Sequence, residues 1–121
     1  MSPRKIPDAV GSEALHAWTT DRSGVEGSPD LLALAVRYAL QQFRASAPGR
    51  SVEVRVPPYG AVQAVEGHTH SRGTPPAVVE LGPAAWLDLV TGQSSWQQLL
   101  DDGHISASGE RSDLRAFFPF A

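Results

Sequence analysis

At 121 residues, with 41% hydrophobic and 19% charged side chains, the chain is sized for one domain and too apolar for wholesale disorder. Its 13 acidic and 10 basic residues leave a formal charge of −3, and no stretch has the Lys/Arg density that tracks phosphates, so no nucleic-acid partner is expected. The absence of cysteine excludes disulfides, thiol nucleophiles and cysteine-held metal clusters, and it fits a reducing, cytoplasmic setting.

Residues 1–7 include Arg4 and Lys5 but lead into no apolar run, so secretion is not expected, and residues 1–10 read as a surface or frayed segment. Leu15 and Trp18 at i,i+3 suggest a short helix over 12–18, followed by a loop over 21–27. Ser28-Pro29-Asp30 is a stronger start signal. Ser28 can cap free amides, Pro29 suits the first helical position, and Asp30 faces the positive end of the helix. Leu32, Ala35, Val36, Ala39 and Phe43 then recur at helical spacing, which predicts a helix from 29 to about 45 that stops at Pro48-Gly49. The segment 31–40 is interrupted by Arg37 and is too short to cross a bilayer, so stable membrane insertion is not expected.

Val52, Val54 and Val56 alternate with Ser51, Glu53 and Arg55, the pattern of a strand with one buried face. The prolines at 57 and 58 and Gly60 end it, and a second strand over 61–66 completes a hairpin. After a polar loop over 67–76, a third strand is expected over 77–81 and a helix over 84–90 that ends at Gly92. A capping box is available as Ser94 with Gln97 or as Ser95 with Gln98, opening a short helix that ends at Gly103. A fourth strand over 104–109 places Ile105 and Ala107 inward, and Ser112-Asp113 caps a terminal helix with Leu114, Phe117 and Phe118 on one face. The fold class expected from this order is α+β, with helices on one side of a single, largely antiparallel sheet.

Catalytic patterns are sparse. Glu66, His68 and His70 share one side of an extended strand, but two imidazoles and one carboxylate form an incomplete metal sphere, so a solvated hairpin tip is the expected reading and no metal or cofactor is assigned. Arg72, between Ser71 and Gly73, has the chemistry to receive a carboxylate. His104 beside Asp101 and Asp102 reads as helix-end polarity, and no serine lies in a G-x-S-x-G elbow. With no complete constellation visible, the chain is not expected to be an enzyme. Trp86, Trp96, Phe117, Phe118 and Phe120 are the most informative group, because aromatic faces between helices and a sheet either close into a core or leave an apolar pocket.

Three stretches carry a family resemblance: Arg72-Gly73-Thr74-Pro75-Pro76-Ala77-Val78-Val79-Glu80, then Trp86-Leu87-Asp88-Leu89-Val90-Thr91-Gly92 with Trp96 beyond it, and the run from Gly103-His104-Ile105-Ser106 to Leu114. Together with Arg55-Val56-Pro57-Pro58-Tyr59-Gly60, they resemble the sterol carrier protein domain, and more closely the actinobacterial sterol carrier family. The resemblance spans about residues 30–121 and leaves 1–29 as an N-terminal extension. It implies a sterol-carrier-like fold that holds a sterol, a fatty acyl chain or another apolar small molecule without chemistry. It places Trp86, Leu89, Val90, Trp96, Leu99, Leu114, Phe117 and Phe118 near the ligand; a ligand carboxylate near Arg72 at the mouth is expected from that residue's own chemistry. Four strands are legible where that fold has five, and the prolines at 57, 58, 75 and 76 alter the rim. The alternative is a structural or protein-interaction module with a filled core, forming a homodimer through its terminal helix.

Overall fold

The computed structural model describes residues 5–67, 76–109 and 111–121. The chain opens with helices α1 (Asp8–Thr20), α2 (Arg22–Glu26) and α3 (Pro29–Ser46). The first helix therefore starts well before residue 12, and a second replaces the loop expected over 21–27. Asp8 lies in the first turn of α1, where a carboxylate is favoured by the helix dipole. The Asp21 side chain accepts from the Gly24 amide and so starts α2. Gly11 is buried where α1 crosses α3, and a β-carbon there would run into the Tyr38 ring. The Tyr38 hydroxyl donates to Asp8 Oδ1 at 3.0 Å and accepts from Gln42 Nε2 at 2.6 Å, which ties the crossing together.

Helix α3 forms as its start signal predicts. Ser28 Oγ accepts from the Leu31 amide at 3.3 Å, Pro29 occupies the first turn, and Ala35, Val36, Ala39 and Phe43 are completely buried. The strands are β1 (Val52–Val56), β2 (Gly60–Ala64), β3 (Ala77–Leu81) and β4 (Ile105–Ser108), and they form one sheet in the order β2-β1-β3-β4. The β1–β2 hairpin and the β3–β4 pair are antiparallel, whereas β3 returns beside β1 in parallel. The architecture is α+β, with a largely antiparallel layer packed against helices. Val52, Val54 and Val56 are buried with Ala64, Ala77, Val79 and Leu81, while Glu53, Arg55, Gln63 and Glu80 occupy the opposite, polar face. Strand β2 stops at Ala64 instead of Glu66, because Val65 adopts φ 69 and turns its amide to the Ala47 carbonyl at 2.6 Å.

Two further helices, α4 (Pro83–Thr91) and α5 (Trp96–Asp101), precede β4. Pro83 begins α4, and Gly92 closes it at φ 82, a left-handed geometry that suits glycine. Of the two possible registers, the capping box uses Ser95 with Gln98. The terminal helix expected after Ser112-Asp113 is instead a single 3-10 turn, Arg115–Phe117. Pro119 supplies no amide, and the residue before a proline is driven to extended geometry, as Phe118 is at φ −119, ψ 150.

Helices α1 and α2 are bonded to α4 through one buried carboxylate. Asp88 Oδ1 accepts from Trp18 Nε1 at 3.0 Å, and Arg22 Nη1 donates to Asp88 Oδ1 and Oδ2 at 2.7 and 2.9 Å. The Arg22 guanidinium also lies 4.4 Å from the Trp18 ring centre and pairs with Glu26. Burial opposes its charge, but the bonds to Asp88 and Glu26 outweigh that and raise its pKa above the usual arginine value. Among the described residues, no helix is long and apolar enough to cross a membrane.

Candidate functional site

Trp86 on α4 is completely buried, and its indole Nε1 donates to the Val36 carbonyl of α3 at 3.3 Å. Its ring meets Phe43 edge to face at 6.1 Å, and it meets Phe118 and Phe120 at 5.7 and 6.4 Å. Phe43 in turn stacks on Phe118 at 5.5 Å and receives Phe117 edge-on at 5.5 Å. The aromatic group is thus centred on Phe43 and Trp86 and closed by the C-terminal residues. Phe43 was legible only as part of the α3 stripe. Nothing local to it pointed to four aromatic partners far along the chain.

The end of the chain is strapped across the C-terminus of α4. The Phe120 and Ala121 amides both donate to the Val90 carbonyl, at 3.0 and 3.1 Å, satisfying an acceptor that the end of a helix leaves free. Pro119 lies against Gly92, where an added β-carbon would sit 3.3 Å from the proline ring.

Beside this strap a groove of about 430 Å³ opens between the end of α4, the start of α5 and the 3-10 turn. Leu89, Trp96 and Phe118 form its apolar walls, Gly92 and Pro119 one side, and Ser95, Gln97 and Arg115 its polar rim. Arg115 is oriented by Asp113, whose two carboxylate oxygens each accept from Nε at 3.0 Å, and by Gln97 Oε1, which accepts from Nη2 at 3.2 Å. The Arg115 backbone amide, and then its guanidinium, hold the Asp113 carboxyl below its usual range. Arg115 lines the rim, and its remaining guanidinium N–H groups have no protein partner among the described residues and can meet an anionic or carbonyl group.

Of the residues expected near a ligand, Leu89, Trp96 and Phe118 meet at this groove. Trp86, Val90, Leu99 and Leu114 are buried in the core behind it, and Phe117 is 37% exposed. Arg72, expected to contact an anion, and His68 and His70, the metal hint of the hairpin tip, lie outside the described residues. Asp101 Oδ1 accepts from Gln97 Nε2 at 2.7 Å, and among the described residues the His104 ring makes no hydrogen bond or ion pair with Asp101 or Asp102. Sequence reasoning missed Arg115 and Pro119 as part of the groove. The available signal was the proline after Phe118, which stops a helix short at this point and leaves Arg115 in a single 3-10 turn beside the groove.

A family model described as Bacterial SCP ortholog matches residues 29–120, which cover α3 to the C-terminal strap and leave α1 and α2 before the matched span. No curated protein matches the chain.

Proposed function

We propose that this chain, which belongs to the bacterial family of SCP orthologs, the sterol-carrier-protein-like proteins, binds a small apolar molecule reversibly and without chemistry in the groove between α4, α5 and the C-terminal strap. The observation that carries this reading is the joining of Leu89, Trp96 and Phe118 into one half-open apolar surface with a polar rim at Arg115. At about 430 Å³ the groove lies in the range of small-molecule sites, roughly 300–1,000 Å³. Withdrawing some 200 Å² of apolar ligand surface from water contributes about 5 kcal/mol, at roughly 25 cal/mol per Å². The cost of immobilising the ligand offsets a substantial part of that. Weak, reversible binding suits a carrier.

The C-terminal strap decides how long a ligand fits. Two hydrogen bonds from the Phe120 and Ala121 amides to the Val90 carbonyl, and the contacts of Phe118 and Phe120 with Trp86, separate the open groove from the aromatic core. A longer chain enters only if the strap lifts, and Phe43 and Trp86 then supply its new walls.

Titrating the isotope-labelled protein with 1-decanol tests the reading. The Leu89, Gly92 and Trp96 amides and the Trp96 indole should shift saturably, and Trp96→Ala should weaken binding by about tenfold, or roughly 1.4 kcal/mol. If the shifts are scattered over the surface, or extraction of the purified protein repeatedly yields only polar metabolites, the carrier reading fails.

A further inference from the structure

We propose that a second groove, between residues 5–6, α3 and the β1–β2 hairpin, binds a free small amphiphile with an acidic head: a carboxylate or phosphate monoester on a short apolar chain. This groove has a volume of about 370 Å³. Ile6, Leu40, Tyr59 and Val62 provide its apolar surface, and Lys5, Arg37 and Arg44 line it with positive charge. No Asp or Glu is among its lining residues.

That charge is unusual for this chain, which carries −3 overall. Arg22, Arg55 and Arg115 are each paired with a carboxylate: Asp88 and Glu26, Glu53, and Asp113 respectively. Among the described residues, Lys5, Arg37 and Arg44 form no such pair; Arg50 and Arg111 form none either, but only these three line the groove together. Three like charges gathered around an apolar surface repel one another, and a bound anion relieves that repulsion.

The fold explains how they come together. Arg37 and Arg44 are seven residues apart on α3, two turns along one face, with Leu40 between them. Gln41 pins the N-terminal segment from both sides, its Oε1 accepting from the Ile6 amide at 2.9 Å and its Nε2 donating to the Ile6 carbonyl at 3.0 Å. This bond pair holds Lys5 at the rim. Arg37 Nε donates to the Tyr59 carbonyl at 3.0 Å, which fixes the guanidinium against the hairpin turn and leaves its Nη groups for a ligand. A planar fork of this kind matches a carboxylate or phosphate. The groove holds a small molecule and not a folded partner, and its concavity favours a free amphiphile over a flat bilayer surface.

The inference does not rest on the α4–α5 groove, and the two sites report at different amides. The full chain is titrated with octyl phosphate, octanoate and octanol, each below its aggregation concentration. Both anions should shift the Ile6, Leu40, Ala61 and Val62 amides and bind at least about tenfold more tightly than octanol, with affinity falling as salt is added. Arg37→Gln with Arg44→Gln should weaken octyl phosphate by about tenfold or more, and Arg44→Gln alone, which breaks no bond to the hairpin, by a smaller factor. Arg115→Gln, at the other groove, should leave these shifts unchanged. Equal binding of octanol, or unaltered binding by the double variant, overturns the proposal. So does co-sedimentation with phosphatidylglycerol vesicles when free octyl phosphate produces no shifts.

Discussion

Replacing Asp88 by alanine should loosen the whole N-terminal helical pair, because one carboxylate joins Trp18 and Arg22 to α4. The Trp18 side chain is 1% exposed, so losing its acceptor leaves an indole N–H buried without a partner, at a cost of about 1–3 kcal/mol. The Arg22 side chain is 47% exposed and regains water when released, so its part is no more than about 1 kcal/mol. The sum is about 1–4 kcal/mol for Asp88→Ala, and about 1 kcal/mol for Asp88→Asn, which keeps a carbonyl acceptor for the indole. Urea unfolding followed by circular dichroism and by tryptophan fluorescence measures both. If α1 and α2 unfold with the rest, the midpoint falls while the slope stays the same and the two signals coincide. A Trp18→Phe cycle isolates the indole bond, with a coupling of about 1 kcal/mol expected. An Asp88→Ala cost below about 0.5 kcal/mol, the level of ordinary surface changes, or a coupling near zero, would refute the reasoning.

Gly11→Ala should destabilise the protein by about 2 kcal/mol despite alanine's better helix propensity, since its methyl overlaps the Tyr38 ring; thermal unfolding decides the sign. Gly92→Ala should cost about 1 kcal/mol from its left-handed backbone and crowd Pro119, which hydrogen exchange at the Phe120 and Ala121 amides would report as faster opening. The folded Asp113 carboxyl titrates below its unfolded value. Its stabilisation is therefore present above about pH 4 and lost as pH falls through the lower folded pKa. Carbon-detected titration should place that pKa below the ordinary aspartate value, and Arg115→Ala, which keeps the backbone amide and removes the guanidinium, should bring it only part of the way back.

Much of the secondary structure was legible because its signals are local. The Ser28-Pro29-Asp30 start, the Val52-Val54-Val56 alternation and the Ser95–Gln98 box each lie within a few residues of the backbone groups they organise. The first helix was read short and the second as a loop because their stabilising contacts are remote: Gly11 with Tyr38, and Trp18 and Arg22 with a carboxylate 70 and 66 positions away. The site divided in the same way. Leu89, Trp96 and Phe118 could be named as apolar candidates, but the rim residue Arg115 could not, since its place depends on where Pro119 breaks the last turn.

Taken alone, the amino-acid order determined helices α3, α4 and α5, the four strands and the oily side of α3 and β1, since these follow from spacing and turn chemistry within a few residues, whereas Ala107, expected inward on β4, is exposed. Only the tertiary structure decided that β3 runs parallel to β1, that Phe43 and Trp86 sit at the centre of the aromatic core, and that the chain end closes one side of a groove. Those outcomes depend on burying particular surfaces against each other across long separations, and hydrophobic spacing along a single segment carries no information about its partner.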